Sequence, residues 1–497
     1  MDTMARVGAL RRRGLCAASC ALALFAAGAA AQPKPDEDAQ RAVALRIGAE
    51  FKGDLDGLIE RRAIRVAAPY SRTLYFNDKG RERGISADFV RDLEGWLNRK
   101  YQKDLGKRPI TVVIRPTTRD KLLQDVADGH ADIAVGNLTA TEERLKIVDF
   151  ALASDVKPQM ELVVTGAKVG ALASADDLAG KIVHVRKASS YYESLDALNG
   201  RLKQAGKPAA KLVLVPDALE DEDMMEMVNA GVLEAIVVDE WKARLWAQVL
   251  PNLKVNEGAA VRTGGQVGWA VRKGSPLLKA ALDEFYLTYI KRQGIYNQRM
   301  KSYNERVKQL KNPTASRDRQ RFVDTLALFK KYGAQYHFDP LMLAAQGFQE
   351  SQLNQSAKSQ VGAIGIMQVM PATGAEMMVG DIRIAEANVH AGTKYMDQLM
   401  AKYLNDAEFD ETNRTLFAFA CYNAGPGNIR KMRAAAAERG LDDNKWFNNV
   451  ELVTAEKIGI ETTTYVRNIY KYFVAYRLMT DVEQMQRKAR EGVQTGK

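Results

Sequence analysis

Two hydrophobic rhythms divide this chain. Up to about residue 300, short β-rich apolar runs recur at IRVAAP (64–69), ITVVI (110–114), ADIAVG (131–136), KIVHV (181–185), KLVLV (211–215) and LEAIVV (233–238). Between them the spacing turns helical. In GISADFVRDLEGWL, Leu93 follows Phe89 by four positions, and Trp96 and Leu97 follow Leu93 by three and four, the buried stripe of an amphipathic helix. Strands alternating with helices of this length predict βαβ units in a mainly parallel sheet. About 240 residues is large for one such sheet, so two α/β lobes are predicted over residues 62–305. A linker at 306–320 follows, where Asn312-Pro313 sits among polar and basic residues.

From Arg321 onward the strand pattern is gone. Phe322, Leu326 and Phe329 mark one helix, and Asp339-Pro340, a cap followed by proline at the first helical position, opens another. Further helices are predicted over 384–404, 412–421 and 461–480. Residues 321–480 therefore read as an all-α domain, with a charged tail at 481–497 expected to fray.

Composition narrows the classes. At 46% hydrophobic and 27% charged, the 497 residues exclude wholesale disorder and a small disulfide scaffold. Four histidines and three cysteines show no zinc-type spacing, so no metal site is expected. Arg6, Arg11, Arg12 and Arg13 precede an apolar run over 15–31 that closes on Ala29-Ala30-Ala31. This predicts a signal peptide over 1–31, cleaved near Ala31 and followed by an N-terminal segment at 32–61; an uncleaved membrane anchor is the alternative. Losing Asp2 and those four arginines lowers the formal charge from +11 to +8. The surplus suits an anionic polymer or a membrane face outside the cytoplasm, and nucleic acid is not among the expected partners. Only Cys421 survives cleavage, so no intramolecular disulfide forms.

The helix opened by Asp339 buries Leu341, Ala345 and Phe348 and ends in Gln349-Glu350-Ser351. A carboxylate there is desolvated on one side, which raises its pKa and keeps a proton near neutral pH, as a general acid requires. Alone, Glu350 reads as an ordinary surface glutamate. The following segments change that reading. ESQLNQSAKSQVGAIGIMQVMPATG, then CYNAGPGNI (421–429), then ETTTYVRNIY (461–470) resemble, in order, the motifs of the lytic murein transglycosylase domain of the soluble type, related to goose-type lysozyme. The resemblance covers about residues 322–475 and implies a lysozyme-like fold. By position, Glu350 matches the single catalytic acid/base, with Ser351 beside it. Ser359 and Gln368 match residues lining the saccharide cleft, and Met367 reads as core packing before ligand contact. Tyr422 matches the tyrosine that orients the carboxyl, and Asn423 supports the same wall. Glu461 and Tyr465 match the motif that braces the cleft from the closing helix. The family's chemistry needs no metal or organic cofactor.

GHADIAVGNLTATEERLKIVDFA, with Thr141 and Arg144 at T-x-x-R positions, resembles the signature of family 3 solute-binding domains, a two-lobed periplasmic-binding-protein-like α/β fold. The resemblance implies that Arg144 clamps a carboxylate, that Ser189 and Ser190 form the small-residue turn beside it, and that Asp239 binds an amine. Ala151-Leu152-Ala153 replaces the family's aromatic-proline ending, which leaves room for a bulkier ligand. Together the two halves resemble the membrane-bound lytic murein transglycosylase F family. That pairing implies a periplasmic enzyme, peripheral to the outer membrane, that cleaves the MurNAc–GlcNAc β-1,4 bond of peptidoglycan strands and leaves a 1,6-anhydro-MurNAc end. An amino-acid or muropeptide effector would act through the first domain. Two alternatives stay open: a hydrolytic muramidase, or a ligand sensor whose helical domain only holds the wall.

Overall fold

The computed structural model describes residues 49–152, 157–167, 169–308 and 319–495. The expected signal peptide lies outside the described residues, as do the start of the 32–61 segment and positions 309–318 of the expected linker.

The first lobe opens with β1 (Ala63–Pro69), the hairpin β2 (Phe76–Asp78) and β3 (Arg81–Arg83), then β4 (Thr111–Thr117), β5 (Ile133–Thr139) and β6 (Val148–Ala151). The chain then builds a second lobe from β7 (Gln159–Thr165), β8 (Ile182–Val185), β9 (Lys211–Leu214), β10 (Ala235–Asp239) and β11 (Lys254–Gly265). It returns to the first lobe as β12 (Val267–Arg272). The two five-stranded sheets run β4-β1-β5-β12-β6 and β11-β7-β10-β8-β9. This is the two-lobed α/β architecture implied by the sequence.

The sheets are mixed, which corrects the mainly parallel expectation. In the first, β1 pairs parallel with β4 and β5, but β12 runs antiparallel to β5 and β6. In the second, β8 pairs parallel with β9 and β10, whereas β7 runs antiparallel to β10 and β11. The antiparallel strands flank the two crossings between lobes, where the chain must leave and re-enter without a helical crossover. β1 is buried along its whole length, as a central parallel strand should be. Its Arg65 lies in the core and is neutralised there by Asp132 at 2.7 Å.

The rest is helical: Arg319–Tyr336, Pro340–Ser351, Pro371–Met377, Ala385–Tyr403, Glu411–Ala424, Pro426–Ala437, Glu451–Lys457 and Ile460–Thr495. The tail expected to fray beyond residue 480 instead continues the last helix to Thr495; its Gln, Met, Arg, Lys, Glu and Ala residues are strong helix formers. Phe322 stacks on Tyr476 at 4.0 Å and Phe348 meets Tyr472 edge-on at 4.6 Å. The first and last helices of the region thus clamp Pro340–Ser351 between them. None of the helices, among the described residues, is long and apolar enough to cross a membrane.

Candidate active site and ligand cleft

Asp339 accepts from the N–H groups of Leu341 and Met342 at 2.7 and 3.2 Å and fixes the start of helix Pro340–Ser351. Gln352 and Leu353, both left-handed at φ 56° and 57°, end it abruptly, which leaves Glu350 in the last turn. A Cβ on Gly347 would lie 2.9 Å from Ile366 and 3.0 Å from Phe329, so glycine there lets the loop after Glu350 fold back against the helix.

Burial pushes the Glu350 carboxyl up to about 7, against the opposing effect of a hydrogen bond from Tyr465. Tyr465 Oη donates to Glu350 Oε1 at 2.5 Å and accepts from Gln346 Nε2 at 3.3 Å. Gln346, four residues before Glu350 on the same helix face, is fully buried. No second carboxylate contributes to the shift. Oε2 has no hydrogen-bond partner among the described residues.

This corrects the expected division between the two tyrosines. Tyr465 touches the carboxyl, whereas the Tyr422 hydroxyl donates to the Met367 carbonyl at 2.8 Å. Tyr422 lies near enough for the Glu350 charge to raise its own pKa, second to burial. Asn423 Oδ1 accepts from Thr462 at 2.8 Å, which ties the Tyr422 segment to the closing helix. Glu461 is exposed and, with Asn423, Asp78 and Lys79, lines a cavity of about 340 Å³.

The Ser351 hydroxyl donates to the Ile366 carbonyl at 2.9 Å and accepts from the Asn354 N–H at 3.1 Å, so it pins the loop. Met367 is wholly buried; its N–H donates to Asn388 Oδ1 at 2.8 Å. Ser359 accepts from the Ala363 N–H at 2.9 Å, and Gln368, left-handed at φ 46°, donates to the Gly365 carbonyl at 2.9 Å. Both are half-buried in the loop that follows Glu350 in the chain. Sequence reasoning missed Gln346 and Asn388. The available clue was a polar side chain within an apolar helical stripe. Asn388 is wholly buried and also donates to the carbonyls of Ile364 and Ile382 at 2.8 and 3.0 Å, fastening the same loop.

The cleft between the lobes is already filled with charge pairs. Arg144 Nε meets Glu193 at 3.1 Å, and its other nitrogens donate to the carbonyls of Thr139 and Ala188 at 3.3 and 3.2 Å. Asp239 accepts from Asn137 at 2.6 Å and Tyr191 at 2.7 Å and pairs with Lys242 at 3.0 Å. Thr141 and Ser189 cap short and long helices, accepting from the N–H groups of Arg144 and Tyr192 at 3.3 and 3.2 Å. Ser190 reaches Thr139 at 3.5 Å. The space left among Arg119, Arg144, Ser189, Ser190 and Tyr191 is about 30 Å³. Beside it, at the hinge, lies a cavity of about 490 Å³ walled by Phe89, Trp241, Trp269, Phe285 and Tyr286. Asn137 lines both spaces, and Ala151 lines the larger. Among the described residues no group of His, Cys, Asp or Glu is placed to hold a metal.

Comparison with known proteins agrees with both halves. Residues 64–306 match the model of bacterial extracellular solute-binding proteins, family 3, and residues 327–446 match the transglycosylase SLT domain. A protein named membrane-bound lytic murein transglycosylase F from Desulfosudis oleivorans is 28% identical over 425 residues, covering 83% of this chain and 88% of that one. One of the same name from Stutzerimonas stutzeri is 26% identical over 463 residues, covering 89% and 90%. Among solved structures, an ancestral arginine-binding protein bound to arginine is 22% identical with a TM-score of 0.39, covering 48% of this chain and 97% of that one.

Proposed function

On the premise that this chain joins a family 3 solute-binding domain to a transglycosylase SLT domain and is a relative of the membrane-bound lytic murein transglycosylases F, we propose that it is a peptidoglycan lytic transglycosylase with Glu350 as its one acid and base. The observation that carries this reading is a half-buried carboxyl held up to about 7, with one phenol donating to it and no second carboxylate acting on it. Two-carboxylate glycosidases divide acid and nucleophile or base between residues. Here Glu350 does both in turn.

Tyr465 occupies Oε1, which leaves Oε2 to carry the proton. Glu350 delivers that proton to the glycosidic oxygen between MurNAc and GlcNAc, and the bond to the MurNAc anomeric carbon breaks. The neighbouring N-acetyl group stabilises the positive centre. The carboxylate, now steadied by the Tyr465 hydrogen bond, takes the proton from the sugar's own 6-hydroxyl as that oxygen attacks the anomeric carbon. A 1,6-anhydro ring closes and Glu350 is reprotonated. The loop bearing Ser359 and Gln368 lines the saccharide cleft opposite, fastened by Tyr422 and Asn388.

The first domain takes a small ligand whose carboxylate displaces Glu193 from Arg144, with the hinge cavity holding the bulkier remainder. An amino acid or a muropeptide stem has that chemistry, and Ala151 at the cavity wall favours the larger. The enzyme works in the periplasm, peripheral to the outer membrane. Mass spectrometry of purified murein digests tests the reading: anhydro-muropeptides support it, reducing ends make the protein a hydrolytic muramidase, and no release makes it a wall-binding sensor.

A further inference from the structure

Helix Ile460–Thr495 has two committed faces. Tyr465 and Arg467 are two residues apart, so their side chains point about 200° apart around the axis, and Lys471 follows Arg467 by one turn on the same side. The Tyr465 face meets Glu350. The other face meets the solute-binding domain. Arg467 pairs bidentately with Glu451, donates to the Ala218 carbonyl at 3.1 Å, and lies 4.6 Å over the Tyr70 ring. Lys471 Nζ, completely buried, donates to Glu226 Oε2.

Glu226 is the junction of three bodies. It belongs to helix Asp221–Asn229 of the second lobe, its Oε1 accepts from Arg72 of the first lobe at 3.1 Å, and its Oε2 holds Lys471 of the helical region. Arg72 also reaches Asp223 at 3.1 Å, and Glu222 accepts from Ser71 at 2.8 Å and the Thr73 N–H at 3.2 Å. Asn468 shares Lys471 at 3.2 Å. A buried cation with one carboxylate partner is geometrically demanding, because losing that partner leaves an uncompensated charge in the interior. Rotation or sliding of the lobes that moves Glu226 therefore drags Lys471, and with it the rigid helix that presents Tyr465.

We propose that Lys471 and Glu226 are a positioning pair that sets the contact between Tyr465 and Glu350, so that the arrangement of the two lobes is felt at the reacting carboxyl. This rests on Glu350 being the acid. The titratable groups facing Glu350 are Tyr465 from the closing helix and Tyr422 from helix Glu411–Ala424, and of these only Tyr465 hydrogen-bonds it. Tyr465 favours the charged carboxylate, so loosening it strengthens the hold on the proton and moves the alkaline limb of the pH–rate profile upward.

The test uses the full-length protein and murein cleavage followed across pH. Tyr465→Phe should move the alkaline limb up by about one pH unit. Lys471→Met and Glu226→Gln should move it the same way by about half a unit, lowering kcat with little change in KM. The Glu226→Gln/Lys471→Met double variant removes both charges together and covers the event that a single variant fails to fold; its limb should also move. Adding Lys471→Met to Tyr465→Phe should shift it no further. If Tyr465→Phe moves the limb while the folded pair variants leave it at the wild-type position, or if Lys471→Met adds fully to Tyr465→Phe, the positioning role is wrong. If Tyr465→Phe itself leaves the limb in place, the contact that the pair is proposed to set does not govern the reacting carboxyl and the proposal falls, whereas cleavage that survives Glu350→Gln would remove Glu350 as the acid.

Discussion

The phenol of Tyr465 donates to Glu350 Oε1 at 2.5 Å across 115 residues of sequence, and it opposes the burial that otherwise governs this carboxyl. Burial wins, and the carboxyl stays up at about 7. The balance suits a group that must give a proton and then take one, because neither state is strongly preferred near neutrality.

Activity should follow that value. As the proposed acid, Glu350 must start protonated, so cleavage should hold on the acid side of about 7 and fall above it, to about a tenth one unit higher. The measurement is initial release of soluble muropeptides from purified murein across pH 5–9 at fixed ionic strength. An alkaline limb near the ordinary glutamate value, below about 5, would show that burial does not act on the reacting carboxyl.

Glu350→Gln separates chemistry from stability. The amide keeps the size and can accept from Tyr465, but it has no proton to deliver, so activity should fall below about a hundredth of wild type. Stability should move the other way. A carboxyl whose folded pKa lies above its unfolded value contributes its full stability below the unfolded value near 4.5, and that contribution is lost as pH rises through about 7. At pH 8 the native glutamate is a desolvated anion, and the neutral amide should be more stable by about 1–3 kcal/mol; at pH 4 the difference should vanish. Urea titrations at the two pH values read this directly.

Tyr422→Phe should behave differently from Tyr465→Phe. Its hydroxyl serves the Met367 carbonyl, so the loss is one buried hydrogen bond, about 1–2 kcal/mol of stability, and a looser Gln368 loop. KM for murein should rise while the alkaline limb stays put. A limb that moves as far as in Tyr465→Phe would restore Tyr422 to the carboxyl.

The roles of these two tyrosines mark where sequence stops being enough. Helix Pro340–Ser351, its Asp339 cap and its terminal glutamate were readable locally, because periodicity and capping are properties of a dozen neighbouring residues. Which of two distant tyrosines reaches the carboxyl depends on how the helix carrying Tyr465 crosses the one carrying Glu350, and no local pattern encodes that crossing. Gln346 and Asn388 escaped for the same reason: each looks like a polar interruption until its partner is known. In the first lobe, β12 reads V-G-W-A-V-R, with a glycine and a terminal charge, and its antiparallel place between β5 and β6 follows from a return path through the second lobe. The buried acidic helix Asp221–Asn229 is the extreme case. Its DEDMME start reads as a solvated face, yet Arg72, Arg186, Lys242 and Lys471 converge on it from three parts of the fold.

The same convergence shapes ligand binding in the first domain. The guanidinium of Arg144 and the carboxylate of Asp239 are the two ends that would meet a zwitterion, and each is already answered from within, by Glu193 and by Lys242. The pairs are unequal. Lys242 is almost wholly buried and holds Asp221 as well as Asp239; removing it leaves Asp221 to Arg186 but Asp239 with only the neutral donors Tyr191 and Asn137, so Lys242→Met should cost about 3–5 kcal/mol. Glu193 is half-buried on a helix flank, and losing it leaves Arg144 anchored by the carbonyls of Thr139 and Ala188 with one nitrogen open. An external carboxylate must displace Glu193 in the native protein and meets a vacant donor in Glu193→Ala. Calorimetry with a free amino acid such as glutamate should therefore show at least tenfold tighter binding to Glu193→Ala than to wild type, and none to the Glu193→Ala/Arg144→Ala double variant. Equal affinity in wild type and Glu193→Ala would mean that the ligand enters elsewhere in the cleft, and binding that survives loss of Arg144 would remove the guanidinium from recognition altogether.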